Sequence, residues 1–389
     1  MTHITLRRGC RWRRGNARGQ GQNHDRGKKQ NQGQNQNQNQ NPNQGHGSWQ
    51  LWMGLANVLA CLAVLFLHLN SFWDGPRQGR SFLSATVIET CFDWAVPVFL
   101  MLSGANIIDY RRRMSTRTYA RKRVQKTLIP FLAWSLIALV YGCLTHSKAT
   151  ADLSPLAVVN GILATSYCSV YWFFMPLFAI YLSVPFLSLM DQRDRAFVWL
   201  AGLAFLFYSV LPLVSNVVGL RYSSLLAPPI VGGYLIFLFL GHLVCNTDLL
   251  DKWRMPLTVL ALACVLVKVT WVYLSATRTG EVNRALTNSV APFNVILATA
   301  VLLNLKLLKL GGVQATSRLY RWTRWLTGKT FGVYLVHYYV RDILFRVLPD
   351  VVLHSIWYRT LGVLVVFLVC VALVAALQRI PGMKRILPG

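Results

Sequence analysis

Acidic side chains are scarce in this chain. Asp and Glu number 13 against 40 Lys and Arg, and charged residues make up 14% of a sequence that is 54% hydrophobic. So little charge on so much apolar material excludes an ordinary soluble enzyme and points to a polytopic membrane protein. Paired cysteine spacing is also missing. None of the eight cysteines forms a CxxC, and all but Cys10 lie in or beside apolar runs. A thiol there behaves as a small hydrophobe, so neither a disulfide framework nor a zinc or other metal site is expected. No internal repeat relates the two halves, which weakens an inverted-repeat transporter reading. No A-x-A-like site follows the first apolar run, which is too long for a signal peptide and reads as an anchor helix.

The net charge of +27 would suit a nucleic-acid binder, but its distribution does not. Lys and Arg sit in an N-terminal tail and in short loops between apolar runs, the pattern of the positive-inside rule, and no nucleic-acid partner is expected. Residues 1–48 are basic from Arg7 to Lys29 and then run as QNQGQNQNQNQNPNQGHG. They cannot bury enough surface to offset ordering entropy, so a disordered cytoplasmic tail attracted to the membrane surface is expected.

What is present is a series of ten apolar stretches of membrane length, at 51–73, 85–108, 127–147, 168–190, 195–216, 228–246, 255–277, 285–309, 327–347 and 355–379. A shorter piece, 154–165, suits a re-entrant or interfacial helix. With the tail cytoplasmic, alternate loops carry the dense basic clusters: Arg111, Arg112, Arg113, Arg117, Arg121, Lys122, Arg123 and Lys126 in the first, and Arg318 to Lys329 in the fourth. The opposite loops hold scattered residues such as Arg77, Arg80, Lys148, Arg221, Arg278 and Arg284. The sequence therefore predicts an all-α polytopic membrane protein of about ten transmembrane helices with both termini cytoplasmic. Its layout is the tail 1–48, a membrane domain over 49–380 and a short C-terminal tail over 381–389.

The residues able to do chemistry are the polar ones inside those stretches. His68 stands near the outer end of the first, where an ionisable group is costly and marks a functional site. The plainer alternative is an imidazole turned onto a neighbour's backbone carbonyl. Glu89 and Asp93 lie at similar depth in the second stretch, four apart and so on one face. A carboxylate beside an imidazole fixes its tautomer and raises its basicity, the arrangement of a general base. Lys268 lies in mid-helix, where it must pair with a carboxylate or face water. His337, with Tyr334 and Arg341 one turn to either side, adds a second imidazole at mid-membrane. Pro97, Pro176 and Pro185 allow bends, and Ser103-Gly104 allows close packing.

Five pieces, taken in order, resemble the acyltransferase 3 family of integral-membrane acyltransferases, and its bacterial O-acetyltransferase branch in particular. They are ACLAVLFLH around His68, AVPVFLMLSG at 95–104, RKRVQKTLIPFLAW at 121–134, WFFMPLFAIYLSVPF at 172–186 and GKTFGVYLVH at 328–337. The resemblance implies transfer of an acyl group, commonly acetyl, from cytoplasmic acyl-CoA to a hydroxyl of a surface glycan, exopolysaccharide or lipid-linked sugar. It implies His68 as the catalytic residue and a bacterial inner-membrane location; Asp93, Glu89 and His337 are the candidate catalytic partners that the polar pattern adds. The donor's phosphates would meet Arg111, Arg112, Arg113, Arg121, Lys122, Arg123 and Lys126, since arginine suits phosphate through its planar donor fork; topology-setting charge alone also explains these clusters. No permanently bound cofactor is implied. Membrane lipid and polysaccharide-synthesis machinery are the further partners. Three positions depart from the family pattern: Asn57 stands where relatives have Arg, Val170 where they often have His, and Asp93 where Arg is frequent. A glycan transporter or flippase, or a non-catalytic subunit of a polysaccharide synthase, would share the ten-helix pattern.

Overall fold

A computed structural model describes residues 50–70, 79–147, 150, 152–190, 193–223, 226–308, 310, 313 and 316–389. The tail 1–48 and the loop after the first helix, residues 71–78, lie outside the described residues. Among the described residues there is no strand, and helices joined by short connections make up most of them. The helices are α1 (Leu51–Leu69), α2 (Gly79–Phe92), α3 (Ala95–Ile107), α4 (Thr116–Arg123), α5 (Ile129–Leu144), α6 (Pro155–Leu163), α7 (Phe174–Leu187) and α8 (Arg193–Ala204). They continue as α9 (Leu211–Val218), α10 (Leu235–Asn246), α11 (Arg254–Thr279), α12 (Pro292–Lys306), α13 (Arg318–Val347), α14 (Asp350–Leu353) and α15 (Val363–Leu377).

A helix stands at each of the ten expected stretches. Among the described residues, seven helical spans are long and apolar enough to cross a membrane: 51–69, 79–112, 116–144, 169–187, 193–218, 251–279 and 358–377. Helices α10 and α12 are shorter and apolar, and α13 is a 30-residue helix whose first half is basic. Nineteen residues of α1 rise roughly 28 Å, about the thickness of the hydrocarbon layer. Helix α6, at nine residues, cannot span; it starts on a Ser154 cap with Pro155 in its first turn, both N-terminal signals.

Helix faces sort as a bilayer requires. On α11 the exposed side chains Met255, Val259, Leu262 and Leu266 recur at helical spacing, while Ala261, Cys264, Lys268, Val272 and Ala276 face inward. Lipid solvates the first stripe and protein covers the second. Close approach is bought with glycine. Helix α10 crosses α3 so tightly that a Cβ on Gly241 would lie 2.2 Å from Met101 O, and one on Gly104 would lie 2.9 Å from Leu238 Cα.

Proline sets the breaks. A proline nitrogen cannot bond the carbonyl four residues back. Pro97 thus releases Asp93, and the helix is interrupted at Asp93-Trp94, between α2 and α3. Wide π-helical turns at Val124–Leu128 and Phe205–Val210 stand just before Pro130 and Pro212, a common way to absorb a missing helical bond. Pro185 releases Tyr181 O, which accepts from Tyr119 Oη at 3.1 Å. The last residues fold back onto the bundle: Leu387 is buried, and Trp134 Nε1 donates to Ile386 O at 3.0 Å.

Candidate functional site

Helices α1 and α13 form a polar seam. Thr327 Oγ1 donates to Gly54 O at 3.2 Å, Thr330 Oγ1 to Asn57 Oδ1 at 2.5 Å and Arg341 Nε to His68 O at 2.7 Å. Partner numbers rise together at a constant offset of 273, so the two helices run parallel and in register. The direction agrees with an even number of crossings from one to the other. Gly54, Cys61 and His68 follow each other at seven-residue steps, the period of a helix–helix seam. Thr323, Thr327, Thr330, Tyr334, His337 and Arg341 continue the facing stripe.

At the end of this seam the two imidazoles meet. The His68 and His337 rings lie 5.2 Å apart, inclined by 37°. His337 is fully buried. Its Nδ1 lies 2.6 Å from Tyr334 O, and a carbonyl only accepts, so Nδ1 carries the proton and Nε2 keeps its lone pair. That Nε2 is buried without a hydrogen-bond partner. Tyr334 is itself held by a bond from its hydroxyl to Val170 O. The contact at Val170 runs through backbone, so it does not depend on that side chain.

The two carboxylates lie elsewhere. Asp93 is ion-paired with Lys268, whose Nζ donates to Asp93 Oδ1 and Oδ2 at 2.8 and 2.7 Å, to Asn294 Oδ1 at 2.6 Å and to Thr90 O at 3.0 Å. Of the two fates open to Lys268, pairing is the one observed. Among the described residues no hydrogen bond joins Asp93 or Glu89 to either imidazole. The carbonyl of Tyr334 holds the tautomer of His337, where a carboxylate was expected to orient an imidazole. Glu89 and Asp93 instead line a cavity of about 910 Å³ with Trp172, Tyr208, Ser209, Tyr234, Trp271 and the 283–291 loop.

The basic cluster divides. Arg113 and Arg123 line a second cavity, of about 360 Å³, with Asn57, Asn106, Tyr110 and Tyr119. Arg123 lies over the Tyr119 and Tyr181 rings, 5.5 and 5.2 Å from their centroids. Arg113 donates to Asn106 O at 2.5 Å. Arg111 braces Ser188 Oγ and Pro185 O at 2.8 and 3.0 Å. Arg112 faces a third cavity, with Arg193, Asp194, Arg195 and His242. Arg121, Lys122 and Lys126 are exposed. Among the described residues no group of His, Cys, Asp and Glu is placed to hold a metal ion.

Residues 50–375 match the family model described as an acyltransferase domain, that of acyltransferase 3. The chain belongs to the acyltransferase 3 family. No curated protein and no solved structure gives a significant match. The protein is thus a multi-pass membrane acyltransferase.

The structural roles of several residues of this acyltransferase escaped the sequence reading, among them that of Asn57, noted there only as a departure from the family pattern. Asn57 is a cavity wall and a hydrogen-bond acceptor, which its place four residues before Cys61 on the seam could have suggested. His242 is buried, with Nε2 2.7 Å from Asp194 Oδ1 and Nδ1 unpartnered. An imidazole inside LGHLVC was open to the rule that selected His68. Arg359 is also buried and donates to Ser81 O at 2.7 Å; it lies in a stretch whose apolar mean hides it.

Proposed function

We propose that this acyltransferase moves an acyl group, acetyl in the simplest case, from cytoplasmic acyl-CoA to a hydroxyl of a surface glycan, exopolysaccharide unit or lipid-linked sugar. The observation that carries the reading is the His68–His337 contact, 5.2 Å between rings, inside a bundle whose family transfers acyl groups. Ionisable side chains kept at that depth are functional by default.

In this reading the end bearing Arg111 to Lys126 faces the cytoplasm of a bacterial inner membrane. Arg113 and Arg123 receive the donor's phosphates in the smaller cavity, and supply there the guanidinium charge that Asn57 does not. From Asn57 to His68 is eleven residues, roughly 16 Å of helix rise, the reach of an extended pantetheine arm. The thioester then lies near His68. His68 takes the proton from the acceptor hydroxyl as that oxygen attacks the thioester carbonyl. The carbon–sulfur bond breaks, and the imidazolium returns the proton to the departing thiolate. A base within hydrogen-bond reach is worth ~10²–10⁴-fold. His337, with its proton held on Nδ1 by Tyr334 O, offers Nε2 to a His68 N–H and leaves the other His68 nitrogen as base. Transfer from a thioester to an alcohol runs downhill, so neither metal nor ATP is required.

The test is chemical. A strain lacking the gene is expected to lose ester-linked acyl groups from its surface glycan while making the same amount of polymer. Loss of the polymer itself contradicts the enzymatic reading and favours transport or scaffolding.

A further inference from the structure

His68 stands on the last turn of α1, where a helix is least able to hold a side chain still. The final four carbonyls of a helix have no partner within it, and the turn that carries them frays. Here α1 ends at Leu69 on an Asn70 cap of ordinary right-handed backbone, not on the left-handed glycine that closes many helices. We propose that Arg341 is a positioning residue of this acyltransferase: it clamps the end of α1 and so holds the His68 imidazole in its reacting place.

The clamp is one contact made across the bundle. Arg341 Nε donates to His68 O at 2.7 Å, one of the four orphan carbonyls. A guanidinium there meets two needs. It satisfies an acceptor the helix leaves open, and its charge faces the negative end of the α1 dipole. The last turn of α1 supplies no other cation, since its basic residue is His68 itself. His337 and Arg341 are four apart and share a face of α13. That face meets His68 twice, ring against ring at 5.2 Å and guanidinium against backbone.

The arginine is itself held. Its guanidinium lies over the Phe345 ring, 4.2 Å from the centroid, one turn further along α13. The carboxylate next to it in sequence is engaged elsewhere: Asp342 accepts from Tyr141 Oη at 2.6 Å and from Arg346 Nε at 2.8 Å. Two residues beyond His68, Asn70 Nδ2 donates to Ala85 O of α2 at 2.7 Å. The imidazole therefore stands between two fastenings, one to α13 and one to α2.

Aim of this kind shows in rate. Misplacing a reacting group by about 1 Å costs about 100-fold, and a residue that only aims the base is felt in kcat rather than in KM. Arg341 differs in this from Arg113 and Arg123, which meet the donor in the proposed mechanism. The word positioning rests on the acyl-transfer reading; the clamp rests on the contact alone.

The experiment compares R341M, R341K and F345L in the full-length protein in liposomes, with radiolabelled acetyl-CoA as donor and the cell's own surface glycan as acceptor. R341M is expected to lower kcat roughly 10–100-fold and to leave the KM for acetyl-CoA unchanged. R341K keeps a cationic donor and should restore most of that loss. F345L keeps the arginine and loosens only its seat, so kcat should fall roughly 2–5-fold. Its melting temperature should stay near that of the wild type, which separates loss of aim from loss of fold. Hydrogen exchange over residues 62–70 reads the clamp without any substrate. It should be faster in R341M than in the wild type or R341K. A wild-type kcat in R341M, a rise in KM in its place, or a lysine variant no better than methionine overturns the proposal. Exchange that R341M leaves unchanged overturns it too. Label transfer that His68→Ala leaves intact refutes the role of His68 as base, and the exchange arm then decides the clamp by itself.

Discussion

A backbone carbonyl decides the protonation of His337, because Tyr334 O can only accept at 2.6 Å. That leaves Nε2 as a lone pair beside His68, and in the proposed mechanism His337 is the positioning partner of the base. His337→Ala is expected to lower kcat by about 10–100-fold, less than the ~10²–10⁴-fold loss for His68→Ala, since only His68 moves the proton. Steady-state kinetics on variants reconstituted at equal amounts checks the order; a larger loss in the His337 variant contradicts it. The Lys268–Asp93 pair sets a second expectation. Removing one member of a buried pair costs about 3–5 kcal/mol, whereas replacing both is much milder. Lys268→Met is therefore expected to melt well below the wild type, and Asp93→Asn with Lys268→Met to recover most of the loss. A thermal melt in detergent tests this, and a Lys268→Met protein as stable as wild type would refute it.

At the scale of the helix pair, glycine determines which surfaces can touch. Gly241 admits Met101 O where a Cβ would stand at 2.2 Å, while a Cβ on Gly202 of α8 would meet nothing within 4 Å. Gly241→Ala is expected to cost about 1–3 kcal/mol by overpacking. Gly202→Ala should be neutral or gain up to about 1 kcal/mol from helix propensity. Equal melting temperatures for the two variants would contradict the packing account. At this scale the sequence was informative about where helices lie and poor about what they touch. Ten stretches read as helices because apolar runs of that length have few alternatives in a membrane. Asp93 and His68 were expected to meet because both lie at similar depth, but depth does not give azimuth. Pro97 breaks the helix at Asp93, and Lys268, distant in sequence, captures the carboxylate. The parallel seam of α1 with α13 was readable in part from the seven-residue spacing of Gly54, Cys61 and His68. Its partner stripe was not, since pairing across 273 residues leaves no local signature.

For the molecule as a whole, the proposed transfer has donor and acceptor approach from opposite ends of the bundle, with the basic loops at the donor end. The smaller cavity, lined by Asn57, Arg113 and Arg123, lies on the first half of α1, and the imidazole pair stands at the end of the seam leading from Asn57. Arg123→Gln with Arg113→Gln is expected to raise the KM for acyl-CoA at least about 10-fold, since each guanidinium–phosphate contact is charge-assisted, and to leave the KM for the acceptor unchanged. An equal rise in both would place the cluster in folding, not in donor binding. The most direct measurement is transfer of radiolabel from acetyl-CoA to the cell's own surface glycan by the purified protein in liposomes. Label is expected in ester linkage with the wild type and at least ~10²-fold less with His68→Ala inserted at equal level. Equal labelling by the two proteins would contradict the account.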